Sequence, residues 1–223
     1  MGSGWWVAEV LHDPARGPAV LVSWIVLVIG SIVLHELAHG WAAMRLGDMT
    51  PRWSGHMTWN PLVHMGPWSL AAFALIGIAW GAMPVDPSRL RGRHAEAWVA
   101  AAGPAMNIAL AAASFAGWSI WEVASDRFGV SNPLRGNLAA FFELGAVLNL
   151  VLAGFNLIPV LPLDGGRIAA CLSPGYSRLA YSEHGQWLMI GGFMLFFWFG
   201  MDLVAGAAWL VVGTLQGVVL SVL

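Results

Sequence analysis

Long apolar runs separated by short polar segments dominate the hydropathy pattern of the chain. A helix that crosses a bilayer needs about 20 mostly apolar residues. Runs of this kind are predicted over residues 19–46, 95–124, 137–160, 186–201 and 203–222. A sixth run, 67–83, is shorter and contains glycines, so it is interpreted as either a re-entrant segment or a further span. The pattern predicts an all-α membrane protein, a polytopic bundle of five or six transmembrane helices.

The polar segments indicate how these helices are connected. Residues 48–66 are rich in proline, glycine and threonine and are too polar to span, which predicts a membrane-associated loop of irregular or β-like structure. Residues 1–18 are expected to form an N-terminal interfacial segment. No repeat or linker divides the chain, so residues 1–223 are predicted to form a single membrane-embedded domain.

Composition supports the membrane interpretation and excludes other classes. Hydrophobic residues make up 58% of the chain, and charged residues only 10%, against about 25% charged in an average soluble domain. The formal net charge of −2 gives no reason to expect a nucleic-acid partner. The single cysteine, Cys171, excludes an intrachain disulfide and a thiolate metal cluster.

The first apolar run ends in the stretch SIVLHELAHG, which places His35, Glu36 and His39 inside a predicted membrane helix. Ionisable side chains in hydrocarbon are costly and indicate function. Histidines four residues apart share one helix face and can reach one ion, and neutral imidazoles suit zinc. Glu36 can then reach a metal-bound water as a general base. A chance match is the alternative, and the cost of burying these groups disfavours it.

A catalytic zinc usually has three protein ligands, so a third is expected from another helix. The best candidate is Asp164 in the stretch FNLIPVLPLDGGR, where prolines interrupt a helix and glycines permit close backbone contact. Irregular backbone at membrane depth is tolerated where it lines a cavity. The alternatives are an ordinary Asp-Gly turn and a third ligand from His56, His64 or Glu143.

Together these motifs resemble the site-2 protease family of intramembrane zinc metalloproteases, which pairs an HExxH helix with a later N-x-x-P-x-x-P-hydrophobic-D-G segment. The stretch AAGPAMN, residues 101–107, is similar to the start of the family's middle core helix. The likeness covers about residues 20–172. The chain looks like the compact branch that lacks a PDZ domain, although Gly66 stands where that branch tends to have an aspartate.

The resemblance implies a role for each matching residue. It implies that the zinc ligands are His35, His39 and Asp164, and that Glu36 is the catalytic base. It also implies that Asn156 and Pro159 lie in a loop that contacts substrate. Asn107 could donate a hydrogen bond to the scissile carbonyl or oxyanion, and a hydrogen bond between helices is the alternative.

Helix direction and charge predict where the site lies. For Asp164 to meet the histidines, the first helix and helix 137–160 must run parallel, which requires 67–83 to be re-entrant. Seven arginines then lie on the side of the site and three on the other. By the positive-inside rule the site is nearer the cytoplasm, and a bacterial or archaeal cytoplasmic membrane is the expected location.

The predicted function is that of a zinc endopeptidase that cleaves transmembrane segments of membrane-protein substrates. Its expected partners are such substrates and the lipid bilayer. One alternative is a membrane metal-ion transporter, which would need His35, His39 and Asp164 but not Glu36. A second alternative is an inactive relative that binds membrane segments without cutting them.

Overall fold

A computed structural model describes residues 6–14 and 16–221. Residues 1–5 and 15 of the predicted interfacial segment, and residue 222 of the predicted run 203–222, therefore lie outside the described part. Within the described residues, all regular secondary structure is helical. A short 3₁₀-helix covers Pro87–Arg89, and the α-helices in chain order are α1 (Trp6–Val10), α2 (Gly17–Arg45), α3 (Thr50–Trp53), α4 (Pro61–Ile76), α5 (Ala95–Arg127), α6 (Leu134–Asn156), α7 (Asp164–Leu172), α8 (Pro174–Ala180), α9 (Glu183–Phe199) and α10 (Met201–Leu220).

Four of these helices, α2, α5, α6 and α10, are long and apolar enough to cross a membrane. The prediction of a helical, polytopic membrane protein is therefore confirmed. Among the described residues four helices qualify as spans by length and composition, and α9, with 17 residues, is slightly shorter than the usual length of a crossing.

The core of the bundle consists of α2, α5 and α6. Helix α5 runs antiparallel to α2, since Val99 lies beside His39 and Asn107 lies beside His35. Helix α6 runs antiparallel to α5 and parallel to α2, the direction that the sequence required for the site to form. Gly145 of α6 makes this close approach possible, because a Cβ there would lie 2.7 Å from Ser114 Oγ of α5 and 3.2 Å from Leu27 of α2.

Helix α4 and the segment after it form a hairpin. The helix ends at Gly77, which adopts a left-handed φ of 77°. The chain then returns along α4: Trp80 N–H donates to Ser69 Oγ at 2.8 Å, and Ala82 N–H donates to the His64 carbonyl at 2.9 Å. The end of the run 67–83 therefore lies beside the residues where the helix began.

The loop predicted over residues 48–66 contains α3, turns and the start of α4, and none of its described residues forms a strand. Buried Asp48 ties this loop to the returning segment by accepting hydrogen bonds from Thr50 N–H at 2.9 Å and Asp86 N–H at 2.7 Å. Burial raises the pKa of Asp48, but the hydrogen bonds from Thr50 and Asp86 outweigh burial and hold the pKa below its usual range.

The C-terminal helices α9 and α10 differ from the two separate spans predicted over 186–201 and 203–222. As the chain advances through α9 and α10, the residues it contacts move steadily back, from the loop after α6 to the first half of α6. Gly192 lies near Val160, Val204 lies near Gly154, and Gln216 Nε2 lies 3.2 Å from Glu143 Oε1. Helix α9 is 17 residues long and does not fold back against α10, so the two do not form a pair of antiparallel crossings.

Candidate metal centre

The two histidines of the HExxH sequence lie one turn apart on the inner face of α2. His35 Nε2 and His39 Nε2 are 3.0 Å apart, and both side chains are buried against α5. The helix remains regular through this segment, so the spacing of four residues alone brings the two ring nitrogens together.

Asp164 reaches the same point from the first residue of α7. Its Oδ2 atom lies 3.2 Å from His35 Nε2 and 3.3 Å from His39 Nε2. The two glycines that follow explain how the chain turns here, because a Cβ at Gly165 would lie 2.2 Å from the Leu157 carbonyl oxygen and one at Gly166 would lie 2.6 Å from Leu161 N. The backbone at the start of α7 therefore packs directly on the backbone of the segment between α6 and α7. This close contact holds Asp164 beside the histidines.

Hydrogen bonds at the other ring nitrogens fix the protonation of both histidines. His39 Nδ1 lies 2.7 Å from the Val99 carbonyl oxygen, which can only accept, so Nδ1 carries the proton. His35 Nδ1 lies 2.6 Å from Asn107 Oδ1 and donates to it. In the neutral rings each Nε2 therefore presents a lone pair toward the other and toward Asp164.

This arrangement of atoms fits a divalent cation. Three atoms from His35, His39 and Asp164 lie within 4.8 Å of one another, and all three present lone pairs to one point. Asp164 Oδ2 is buried without a hydrogen-bond donor among the described residues. Such a cluster is repulsive without a positive charge at its centre, and two imidazole nitrogens with one carboxylate oxygen are a typical zinc donor set.

Gly103 of α5 leaves the space that an ion requires. A Cβ at this position would lie 2.3 Å from His39 Nε2 and 2.5 Å from His35 Nε2. Any side chain at position 103 would therefore occupy the point on which the three ligand atoms converge. In the sequence this glycine is part of the motif AAGPAMN, and the motif alone did not assign it to the site.

Glu36 lies beside the cluster and outside it. Its side chain is 7% exposed, and Gly81 of the returning segment packs against it, because a Cβ there would lie 2.7 Å from Glu36 Oε1. The carboxylate therefore lies against the returning segment, one residue after His35, and is not one of the three converging atoms.

The three other predicted site residues lie around the centre in different roles. Asn107 is fully buried behind His35, and its Nδ2 donates to Asn149 at 2.8 Å. One of its two amide hydrogens thus makes a hydrogen bond between helices, which is the alternative to a contact with a substrate oxyanion. Asn156 Nδ2 donates to the Leu152 carbonyl at 2.9 Å. The Pro159 carbonyl accepts from Tyr176 Oη at 2.8 Å.

The alternative third ligands do not reach the cluster. Glu143 faces α10, where its Oε1 accepts from Gln216. His64 Nε2 donates to the Thr58 carbonyl at 2.7 Å, and the His56 ring contacts the His64 ring with centroids 6.3 Å apart. Asp164 is therefore the acidic residue that the fold brings to the histidines.

Comparisons with known proteins agree with this geometry. The family model described as Peptidase family M50 matches residues 23–123 and 120–199. The chain is 34% identical over 185 residues to "Putative zinc metalloprotease YwhC" of Bacillus subtilis, covering 80% of each chain. It is 26% identical over 162 residues to "Putative zinc metalloprotease MJ0611" of Methanocaldococcus jannaschii, covering 73% of this chain and 76% of that one.

A third relative is "Putative zinc metalloprotease Rip2" of Mycolicibacterium smegmatis, 29% identical over 191 residues, with 82% of this chain and 69% of that one covered. No solved structure matches the chain. The names of the relatives and the cluster of two histidines and an aspartate confirm zinc as the cofactor to expect. The chain belongs to peptidase family M50, the site-2 protease family, and is a membrane protein in which His35, His39 and Asp164 form a cluster that could hold a metal ion.

Proposed function

We propose that the protein is an intramembrane zinc endopeptidase that hydrolyses peptide bonds in the membrane-spanning segments of other proteins. The observation that carries this proposal is the convergence of three ligand atoms beside a buried carboxylate, within a bundle of apolar helices. Membership of a metalloprotease family supports the class of reaction.

In this proposal His35, His39 and Asp164 hold the zinc ion. A zinc ion bound there supplies a Lewis acid that polarises a carbonyl and lowers the pKa of water. The hydrogen bonds from His35 to Asn107 and from His39 to Val99 keep both rings oriented toward the ion position.

Glu36 performs the proton transfers. The carboxylate accepts a proton from the attacking water as the water oxygen bonds to the peptide carbonyl carbon. It then delivers that proton to the amide nitrogen as the carbon–nitrogen bond breaks. The products are a carboxylic acid and an amine, and transfer of the acid's proton to the amine leaves a carboxylate and an ammonium group. Its burial beside the ligand cluster suits this role, because proton transfer requires a group within hydrogen-bond reach of both the water and the nitrogen.

The returning segment 77–86 offers a way to hold a substrate in extended form. A transmembrane helix keeps its carbonyls in internal hydrogen bonds, so it must unwind before hydrolysis. The described residues of this segment form neither helix nor strand before Pro87, and Gly81 brings its backbone against Glu36. Backbone groups of an extended segment can pair with an extended peptide by strand addition.

The substrate site is proposed to open toward the cytoplasm. The end of the bundle that carries the ligand cluster also carries the segment 46–91, where Arg91 N–H donates to the Leu46 carbonyl at 2.8 Å. Seven of the ten arginines belong to this end, and cytoplasmic segments carry an excess of basic residues.

The decisive experiment compares wild-type protein with Glu36→Gln, which keeps the size of the side chain and removes the base. Purified in detergent, both proteins should contain zinc. Cleavage of a panel of single-span membrane proteins should fall by about 10²–10⁴-fold in the variant, the typical contribution of a general base. The measurement is zinc content together with the rate of product formation.

Glu143→Gln is the matched control, since Glu143 is also an acid in a membrane helix but pairs with Gln216 at the α6–α10 contact. It should retain both zinc and cleavage. Unchanged cleavage in zinc-loaded Glu36→Gln would contradict the proposed role of Glu36. Wild-type protein that carries zinc across reconstituted vesicles and cleaves none of the panel would overturn the protease proposal in favour of a transporter.

A further inference from the structure

Two buried asparagines connect His35 to the backbone of a helix that contributes no ligand. Asn107 lies in the middle of α5 and Asn149 in the middle of α6, and their side chains are 0% and 2% exposed. His35 Nδ1, Asn107 and Asn149 form a chain of contacts of 2.6 and 2.8 Å, which ends where Asn149 Nδ2 meets the Gly145 carbonyl oxygen at 2.9 Å.

Only one direction of hydrogen bonding satisfies this chain. The Gly145 carbonyl can only accept, so the amide nitrogen of Asn149 must face it. The oxygen of Asn149 then faces Asn107 and accepts from its amide nitrogen. The oxygen of Asn107 therefore faces His35, and the proton of His35 must be on Nδ1. Reversing either amide would place two acceptors in contact at a buried position, which is costly.

The Gly145 carbonyl therefore fixes the orientation of both amides. Through them it also determines which ring nitrogen of His35 carries the proton. His39 has a simpler arrangement, because its Nδ1 donates directly to the Val99 carbonyl. Since an asparagine side chain can rotate and a backbone carbonyl cannot, Asn107 alone does not determine which tautomer His35 adopts. The orientation of Asn107 depends on Asn149.

Asn149 also lies on the helix that leads to the third ligand. Helix α6 carries Asn149 and ends at Asn156, and the chain then reaches Asp164 at the start of α7. The hydrogen bond from Asn107 to Asn149 thus links the helix of the histidines, through α5, to the element that places Asp164.

We propose that Asn149 is a positioning residue of the metal centre, which acts through Asn107 to hold His35 with Nδ1 protonated and the Nε2 lone pair at the ion position. The proposal rests on the metal centre of the proposed function. Loss of such an outer hydrogen bond typically weakens metal binding by about 10–100-fold.

The test uses the full chain in detergent with Asn149→Leu, which is similar in size and has no hydrogen-bonding group. Asn137→Leu is the matched control, because Asn137 lies on the same helix about three turns earlier and outside the chain of contacts. Three quantities are measured: the dissociation constant of Co²⁺, the absorption spectrum of bound Co²⁺, and the ¹⁵N signals of the histidine rings in metal-free protein. The His35 signals are assigned by comparison with His35→Gln.

We expect wild-type and Asn137→Leu proteins to show His35 protonated on Nδ1 and to bind Co²⁺ with equal affinity. In Asn149→Leu the His35 signals should shift toward a mixture of tautomers, and the Co²⁺ dissociation constant should rise about 10–100-fold with a changed spectrum. Because the asparagines act in series, Asn107→Leu with Asn149→Leu should weaken binding no more than the larger single loss. If Asn149→Leu does not fold, Asn149→Ala admits water in place of the amide and removes the same directionality.

The outcomes separate this inference from the proposed function. An unchanged ring signal and unchanged Co²⁺ affinity in the folded Asn149 variant would overturn the positioning role and leave the protease proposal intact. Losses in the double variant that equal the sum of the single losses would also overturn it. Wild-type protein that binds neither Co²⁺ nor Zn²⁺ would overturn the proposed function, while the ring signals of the metal-free variants would still decide whether Asn149 sets the tautomer of His35.

Discussion

At the scale of single residues, two glycines define the space around the ligands. Gly103 faces the two Nε2 atoms from α5, and Gly81 faces Glu36 from the returning segment. The spacing of His35 and His39 and the break before Asp164 could be read from the sequence, since each is local. The atoms that these glycines contact could not be predicted from the sequence, because a glycine in a motif gives no sign of which distant atom lies against it.

Gly103→Ala should weaken metal binding strongly without unfolding the protein. The added methyl group would lie 2.3 Å from His39 Nε2, so either the ring must rotate or the ion must be excluded. We expect the dissociation constant of zinc to rise about 100-fold or more, at or beyond the upper end of losses seen for changes outside the ligand set. Competition with a chelator measures this constant.

Gly117→Ala on the same helix is the control for the effect of packing strain. Its Cβ would lie 2.6 Å from the Phe142 ring, so it should lower stability while zinc affinity stays the same. Wild-type zinc affinity in Gly103→Ala would show that the ion position is not where the three ligand atoms converge.

At the scale of elements, α4 depends on a glycine that interrupts it. Gly66 has φ 67° and ψ 171°, a conformation that is essentially restricted to glycine, and Pro67 follows it. The segment resembles a motif with aspartate at this position, and the observed backbone explains why glycine suits this chain. The sequence predicted that 67–83 turns back or spans, and the kink at Gly66 and the turn at Gly77 show how it turns back.

Gly66→Ala should destabilise the protein through the backbone alone. A Cβ at this position would contact nothing within 4 Å, so the expected loss of about 1–3 kcal/mol comes from the left-handed conformation. Unfolding in detergent with increasing denaturing surfactant measures the change in free energy.

Gly30→Ala in α2 is the matched control, because a Cβ there also contacts nothing within 4 Å and Gly30 has no positive φ. It should leave stability unchanged or raise it by up to about 1 kcal/mol. Equal stability of Gly66→Ala and Gly30→Ala would mean that the kink in α4 is not a conformational requirement of the fold.

The C-terminal region shows the limit of reading elements from hydropathy. The runs 186–201 and 203–222 are both apolar, and a polar connector is absent between them, so hydropathy indicated two spans. The contacts of Phe193 with Phe155 and of Val204 with Gly154 place α9 and α10 one after the other along α6. Whether consecutive apolar helices fold back or continue depends on such tertiary contacts, which composition does not encode.

At the scale of the whole molecule, one end of the bundle collects the functional elements. The end of α2 with the histidines, both ends of the segment 67–83 and the start of α7 meet there, because α2 and α6 run parallel and 67–83 folds back on itself. Helix directions could be deduced from the sequence once the histidines and Asp164 were required to meet. The sequence did not predict that the returning segment covers Glu36, because this contact depends on the path of the chain between Gly77 and Asp86.

This arrangement predicts that Arg52 and Arg91 lie on the same side of the membrane and Arg127 on the other. Arg52 precedes the re-entrant segment and Arg91 follows it, while Arg127 ends α5, and all three side chains are exposed. Single cysteines at these positions, in a Cys171→Ser background, are treated in intact cells with a membrane-impermeant maleimide. Positions 52 and 91 should react only after lysis, and position 127 should react in intact cells, because the arginine excess orients the first end toward the cytoplasm.

Reaction of 52 and 91 from opposite sides would mean that 67–83 crosses the membrane, in which case α2 and α6 could not run parallel. Reaction of 52 and 91, but not 127, in intact cells would keep the fold and reverse its orientation, and the catalytic centre would then receive its water from outside the cell.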